Sequence, residues 1–404
     1  MKHLSLLLTI SLALFSLIGC VNHTHQSTGH PTRQQGPQET WTDYRARSEA
    51  IARIDREFLA AELRQLGKSQ AQKPPATKEF GFDIEQADDW FFSEEGQRIL
   101  EIILSFQTPS GGWSKRTDMA SIQRQPGMDF GVEAKYVPTF DNGATTTQLR
   151  LLARAYALTG RDAYRSAFEQ GLSLILAAQY PNGGWPQNYP LVGGYHDYIT
   201  YNDELMEDIL SLLLAVSRGT GEFAFVSDDW RSKAGQSLER GLQCVLNTQV
   251  IVDEQRTIWG AQHDPYTLAP AKARAYEMAA LSSTESVALV NFLMELPDPS
   301  APMIAAIHDA MAWYQQTRIL GYTWKRGDGA PTADASAPPM WARFYEIGTN
   351  LPLFGDRDHS VHYDISQVSQ ERREGYAWYS TLPNRVLEKY ADWAKRFPRV
   401  PTHY

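Results

Sequence analysis

An all-α fold is what the sequence predicts: an α/α toroid, an incomplete barrel of antiparallel helical hairpins with long irregular loops and few short strands. Three observations lead there. Apolar residues recur at helical spacing along most of the chain, a Gly-Gly-Trp turn is repeated behind two successive helices, and strand-type alternation is scarce and short.

The chain opens with Lys2 and His3 ahead of a mostly apolar run, Leu4 to Phe15. A charged start and a short apolar run read as an export signal, since the run is too short for a comfortable membrane span. It ends in Leu17-Ile18-Gly19-Cys20, which resembles a bacterial lipobox, with Cys20 acylated as the mature N-terminus. The expected organisation is a signal over 1–19, a polar tether over 20–44 rich in Gln, His, Thr and Pro, and a single toroidal domain over 45–404. A lipid at Cys20 leaves Cys244 without a partner, so no intrachain disulfide is expected. Cys244 lies in an apolar helical stretch and reads as a packing residue.

The periodicity predicts helices over about 45–66, 93–107, 144–159, 161–179, 202–217, 229–249, 283–296, 301–317 and 385–397. Leu149, Leu152, Ala153, Tyr156 and Ala157 form one buried stripe. Ser282 with Glu285 suggests a capping box ahead of Val287. Gln107-Thr108-Pro109-Ser110-Gly111-Gly112-Trp113 returns as Gln179-Tyr180-Pro181-Asn182-Gly183-Gly184-Trp185, displaced by 72 residues. Paired glycines permit a tight turn, and each tryptophan can pack back over the preceding helix end. Repeated hairpins with such turns point to the toroid.

Composition narrows the function. A formal charge of -9 argues against general nucleic-acid binding, which needs a basic face. The chain lacks a His-Glu-x-x-His motif, a Walker loop, a dinucleotide glycine fingerprint and a nucleophile elbow. His23, His25 and His30 read as residues of a solvated linker. Alternating helices put the starts of 144–159, 202–217 and 283–296 at one end of the molecule. Asp141-Asn142, Asn202-Asp203-Glu204 and Lys272-Ala273-Arg274 stand at or shortly before those starts. Each acid or amide also suits a helix cap. Together they make an end rich in carboxylates, amides and a guanidinium, where free helix N–H groups favour an acidic ligand.

The chain closely resembles the family-ten pectate lyases over approximately 45–400. The resemblance runs through Gly111 to Lys115, Thr139 to Thr145, Tyr180 to Gln187, Tyr201 to Asp203, Ala273 to Glu277 and Arg343 to Glu346. It implies an α/α toroid that cleaves polygalacturonate by calcium-assisted β-elimination, leaving 4,5-unsaturated oligogalacturonides. It implies Arg274 as the catalytic base and Asp203, Asp141 and Asn142 as oxygen ligands of Ca2+. Arg343 and Arg357 resemble the family's substrate-carboxylate arginines, and ion pairs with Glu346, Asp356 or Asp358 are their plainer reading. Tyr201 and Lys115 are candidates for the groove wall. Lys272 remains an alternative base, because a free guanidinium stays protonated far above neutral pH. Neighbouring positive charge is expected to favour a neutral Arg274. The alternatives are a glycoside hydrolase using Asp141 and Asp203, and a non-catalytic pectin-binding surface lipoprotein. The expected product is a monomer, exported and anchored at the bacterial outer membrane.

Overall fold

The structure, a computed structural model, describes residues 39–399. The signal, Cys20 and the tether up to Gln38 lie outside the described residues. Thr40 starts the first helix with reciprocal bonds: its hydroxyl accepts from the Asp43 N–H at 3.1 Å, and its own N–H donates to the Asp43 carboxylate. Helix α1 therefore begins at Trp41 and runs to Gln65, a few residues ahead of the expected start.

The remaining helices are α2 (Glu94–Ser105), α3 (Thr146–Thr159), α4 (Asp162–Ala178), α5 (Leu205–Arg218), α6 (Asp228–Thr248), α7 (Ser283–Glu295), α8 (Ala301–Gln316), α9 (Gln370–Gly375) and α10 (Pro383–Arg396). All except α9 match an expected segment. That helix is a single short turn of Gln, Glu and Arg with no apolar period to betray it. Among the described residues no helix is long and apolar enough to cross a membrane.

The helices form two layers. Helices α3, α5, α7 and α10 pack in succession, α4, α6 and α8 pack in succession behind them, and α3–α4, α5–α6 and α7–α8 are the hairpins between layers. Among the described residues this is an α/α toroid with few short strands and no closed barrel. Helix α5 shows the sequence cause. Leu205, Met206, Ile209, Leu210, Leu212, Leu213 and Val216 are all buried, so it is apolar on more than one face. Each such side chain contributes about 1.5–3 kcal/mol on burial. Cys244 is buried in α6 with its thiol pushed up to about 12 by desolvation, which suits a packing role.

The Gly-Gly-Trp turn occurs in more copies than its sequence shows. Four indoles donate back to a carbonyl of the preceding helix: Trp113 to Ile103, Trp185 to Ile175, Trp259 to Val245 and Trp341 to Tyr314, at 2.8–2.9 Å. In each, the residue before the tryptophan (Gly112, Gly184, Ile258, Met340) accepts a backbone bond from a residue two or three places past the end of that helix. Gln107, Gln179 and Gln249 repeat one further device, each bridging its own turn to the next outer helix through its amide. The third and fourth copies lack the paired glycines, and longer loops displace them.

Those turns also tie neighbouring units together. After each turn the chain returns beside it. Thr139 N donates to Trp113 O at 3.1 Å, Thr200 N to Trp185 O at 3.1 Å, and Ser282 N to Trp259 O at 2.7 Å. The next residue in each case donates to the following unit: Phe140 to Gln187 O at 3.0 Å, Tyr201 to Ala261 O at 2.9 Å, and Ser283 to Arg343 O at 2.9 Å. The starts of α3, α5 and α7 are thereby set side by side.

Candidate active site

Two equivalent turns form the centre of the site. Asp141–Gly143 leads into α3 and Asn202–Glu204 into α5, and the two pack against each other. Both bend through the left-handed region at the same place, with φ 53° at Asn142 and 53° at Asp203, followed by positive φ at Gly143 and Glu204. Asn and Asp tolerate this conformation better than most residues, whereas Glu204 holds it at a cost of about 1–3 kcal/mol. The two turns order the same residue types oppositely, Asp-Asn in one and Asn-Asp in the other.

The carboxylates are held without full compensation. Asp141 is buried at 1% exposure; Lys115 Nζ pairs with its Oδ2, while Oδ1 is buried and has no partner. The Asp203 carboxyl is pushed up to about 6, first by desolvation and then by Asp141 and Glu285, against the pull of Arg343 and Arg274. Asn202 Nδ2 donates to Asp203 Oδ2 at 2.6 Å. Beyond them opens a cleft of 530 Å³, lined among others by Asp203, Glu204, Glu207, Asp208, Glu285 and Arg343. Desolvation pushes Asp208 up to about 6 and Glu207 well above the usual carboxylate range. Both Glu207 oxygens are buried and unpartnered.

Arg343 reaches this centre through partners the sequence reading did not assign. Its Nη2 pairs with Glu285 and donates to Asn202 Oδ1 at 3.3 Å, its guanidinium lies 4.8 Å from the Tyr376 ring, and Nε is buried without a partner. The expected capping box at Ser282 is therefore corrected. Ser282 makes no side-chain bond to the α7 backbone; its hydroxyl bonds the Glu285 carboxylate, which is turned toward Arg343.

Arg274 lines a second, small pocket with Asn202, Tyr195 and Glu277. The protein groups around Arg274 supply negative charge rather than the positive charge expected of other arginines. Its Nη1 donates to Glu277 Oε1 at 3.0 Å and its backbone N–H to Oε2 at 3.2 Å. Desolvation lowers the Arg274 pKa, but Glu277 and nearby tyrosines outweigh it, so the net shift is upward. Lys272, the alternative base, is exposed and lines neither described cavity.

Two more expectations change. Tyr201 is fully buried with its hydroxyl 2.6 Å from Thr248 Oγ1, so it belongs to the core rather than to a groove wall. Arg357 is exposed and forks onto Glu371 of α9 through two bonds of 2.9 Å, its guanidinium 5.6 Å from the Tyr276 ring. It lines neither cavity, and its partner is none of the three acids considered. Lys115 is held in the site by Asp141, with Glu133 at 3.8 Å. Asn142 is exposed on its turn. The sequence reading also passed over His196, stacked between Tyr136 and Tyr195 at 4.5 and 4.1 Å between ring centroids. Desolvation, with Lys115 nearby, lowers its pKa.

Comparison with known proteins points to one family. The family model described as pectic acid lyase matches residues 107–387. A solved structure of a family 10 polysaccharide lyase from Cellvibrio cellulosa is 32% identical, with a TM-score of 0.67, covering 80% of this chain and 99% of that one. A mutant of a family 10 polysaccharide lyase from the same organism, in complex with trigalacturonic acid, is also 32% identical at a TM-score of 0.67. That match covers 77% of this chain and 96% of the other. No match is found among curated proteins.

Proposed function

This chain belongs to the pectic acid lyase family and is a polysaccharide lyase; from that premise we propose that it cuts polygalacturonate by calcium-assisted β-elimination, releasing 4,5-unsaturated oligogalacturonides. The observation that carries the reading is the convergence of Asp141, Asp203, Arg274 and Arg343 on the paired turns before α3 and α5. Membership of a lyase family leaves the hydrolase alternative without support.

In this scheme Arg274 takes the C5 proton of the galacturonate, the C5–H electron pair forms the C4–C5 double bond, and the C4–O bond breaks. The leaving oxygen collects a proton from solvent. Arg343 holds a substrate carboxylate through its charge and its free Nε, a contact of roughly 1.5–3 kcal/mol.

The residues present suit calcium. Their donors are oxygens, the Asp141 Oδ1 has no partner, and Asp203 is crowded by like charge that a divalent cation relieves. Asp203 and Asp141, with the exposed Asn142, are the proposed ligands. Calcium supplies Lewis-acid neutralisation of the charge that develops at the substrate carboxylate. Among the described residues no cluster of three or more His, Cys, Asp or Glu is placed to hold a metal; substrate oxygens and water would supply the remaining donors. We further propose export and acylation at Cys20, with the enzyme a monomer held at the outer membrane.

Formation of the ultraviolet-absorbing unsaturated uronate from polygalacturonate, followed with and without EDTA, tests the scheme. Chelation abolishes the signal, added calcium restores it, and Asp203→Ala behaves like the chelated enzyme at ordinary calcium levels. Full activity in excess chelator overturns the calcium assignment.

A further inference from the structure

Arg274 sits in a clamp that the elimination scheme leaves unexplained. Glu277 is buried, at 7% exposure, and both its oxygens are engaged. Oε1 accepts from Arg274 Nη1 at 3.0 Å and from the Tyr376 hydroxyl at 2.8 Å, while Oε2 accepts from the Arg274 backbone at 3.2 Å. The backbones of the same stretch close on each other, with Ala273 N to Glu277 O and Glu277 N to Arg274 O, both at 3.0 Å. The loop is thus shut by main chain alone, and the carboxylate is not needed to form it. Tyr376 has a second use, since its ring lies 4.8 Å from the Arg343 guanidinium.

We propose that Glu277, braced by the Tyr376 hydroxyl, is the positioning residue for Arg274 and that its charge sets the pH range in which Arg274 works as a base. This rests on the reading of Arg274 as the base. A base must offer an unprotonated nitrogen. A carboxylate in hydrogen-bond contact favours the protonated guanidinium, so Glu277 trades turnover at low pH for a fixed guanidinium. The other groups around Arg274 act less directly: Tyr276 beside it on the loop, Tyr195 and Tyr376 from adjoining segments, and Asp203 across Asn202. Glu277 alone among them is a carboxylate bonded to the guanidinium.

The signs can be separated experimentally. Glu277→Gln keeps a side chain that can bond Arg274 and Tyr376 but removes the charge. The acid limb of the kcat–pH profile then moves to lower pH, by about 1–3 units for loss of an adjacent opposite charge. Tyr376→Phe keeps the ring under Arg343 yet takes a donor from Glu277, leaving a stronger acceptor for Arg274. Its acid limb moves to higher pH, by less.

The test is kcat for the full chain on polygalacturonate across pH, at saturating calcium, for wild type, Glu277→Gln, Tyr376→Phe and Arg274→Ala. Opposite movements of the two limbs support the proposal. A purely structural role scales kcat equally at every pH, and limbs that superimpose on wild type overturn the proposal. If Glu277→Gln fails to fold, an unmoved Tyr376→Phe limb is enough to overturn it. Arg274→Ala separates the two ideas. Wild-type turnover there removes the base reading and this inference with it, whereas an inactive Arg274→Ala beside unmoved limbs removes the inference alone.

Discussion

Two arginines that look interchangeable in the sequence are set apart by burial. Arg343 is mostly buried between Glu285, Asn202 and Tyr376, while Arg357 is exposed on Glu371. Solvent screens an exposed pair and leaves it little net stabilisation, so Arg357→Ala changes KM on polygalacturonate by only a few fold. Arg343→Ala raises KM by an order of magnitude or more, given roughly 1.5–3 kcal/mol for a charge-assisted contact, and its effect shrinks on heavily methyl-esterified pectin. Equal losses on both substrates mean that Arg343 is not reading carboxylates. Histidine 263 supplies the pH prediction. It is fully buried, accepts from Gly260 N at 3.0 Å through Nε2 and bonds Leu268 O at 2.8 Å through Nδ1, and burial depresses it to about 4. A depressed histidine favours the neutral folded form. Its contribution is present above the unfolded value of about 6.5 and is lost as pH falls toward 4, with a full size of about 3 kcal/mol. Thermal denaturation across that window shows a decline in wild type that His263→Asn flattens; an unchanged slope in the variant removes His263 as its source.

Helix positions were legible in the sequence because apolar period and capping residues are local signals, and α5 and α7 announce themselves by composition alone. The site was legible only in its backbone. Asp141, Asp203 and Arg274 were found because they stand at helix starts or in a motif. Of their partners, Glu277, only three residues from Arg274, was passed over inside that motif, and Glu285 and Tyr376 were missed because their pairing is long-range and leaves no local pattern. Glu285 was misread for that reason: three residues after Ser282 it has capping-box spacing, yet it turns to an arginine far along the chain. The tryptophan turns permit a test at this scale. A Cβ on Gly183 meets Arg240 O at 2.1 Å, and the residue holds φ +97°, so Gly183→Ala strains the turn and pushes α6 away. Trp259→Phe keeps an aromatic core but removes the indole donor from Val245 O, which keeps the 3.2 Å bond from Thr248 Oγ1, a loss of about 0.5–1.5 kcal/mol. Both variants lower the midpoint in a denaturant titration, with Gly183→Ala the larger; a wild-type midpoint in either discounts that turn as a structural tie.

For the whole molecule the question is how a chain of charge -9 gathers a polyanion. Long-range attraction is absent, so capture depends on contacts inside the cleft. On the proposed acylation, Cys20→Ser shifts the protein from the membrane to the soluble fraction while turnover on soluble polygalacturonate stays the same. Membrane association that survives the substitution rules out acylation there. The toroid itself was predictable from a single repeated turn, although only half its copies were visible, because the later ones keep the indole bond and discard the glycines.

That economy has an evolutionary reading. The residue two places beyond each tryptophan, Lys115, Gln187, Ala261 and Arg343, occupies one address four times over, and its carbonyl in the last three units is what ties the preceding unit in place. Because the main chain carries the tie, the side chain at that address is free to diverge. Two copies carry cations facing acids, Lys115 on Asp141 of its own unit and Arg343 on Glu285 of the preceding one, while Gln187 and Ala261 line the pocket of Arg274. A lineage that duplicates such a unit inherits a mount for a new functional group without inventing new backbone, and specificity can drift by one codon at a time.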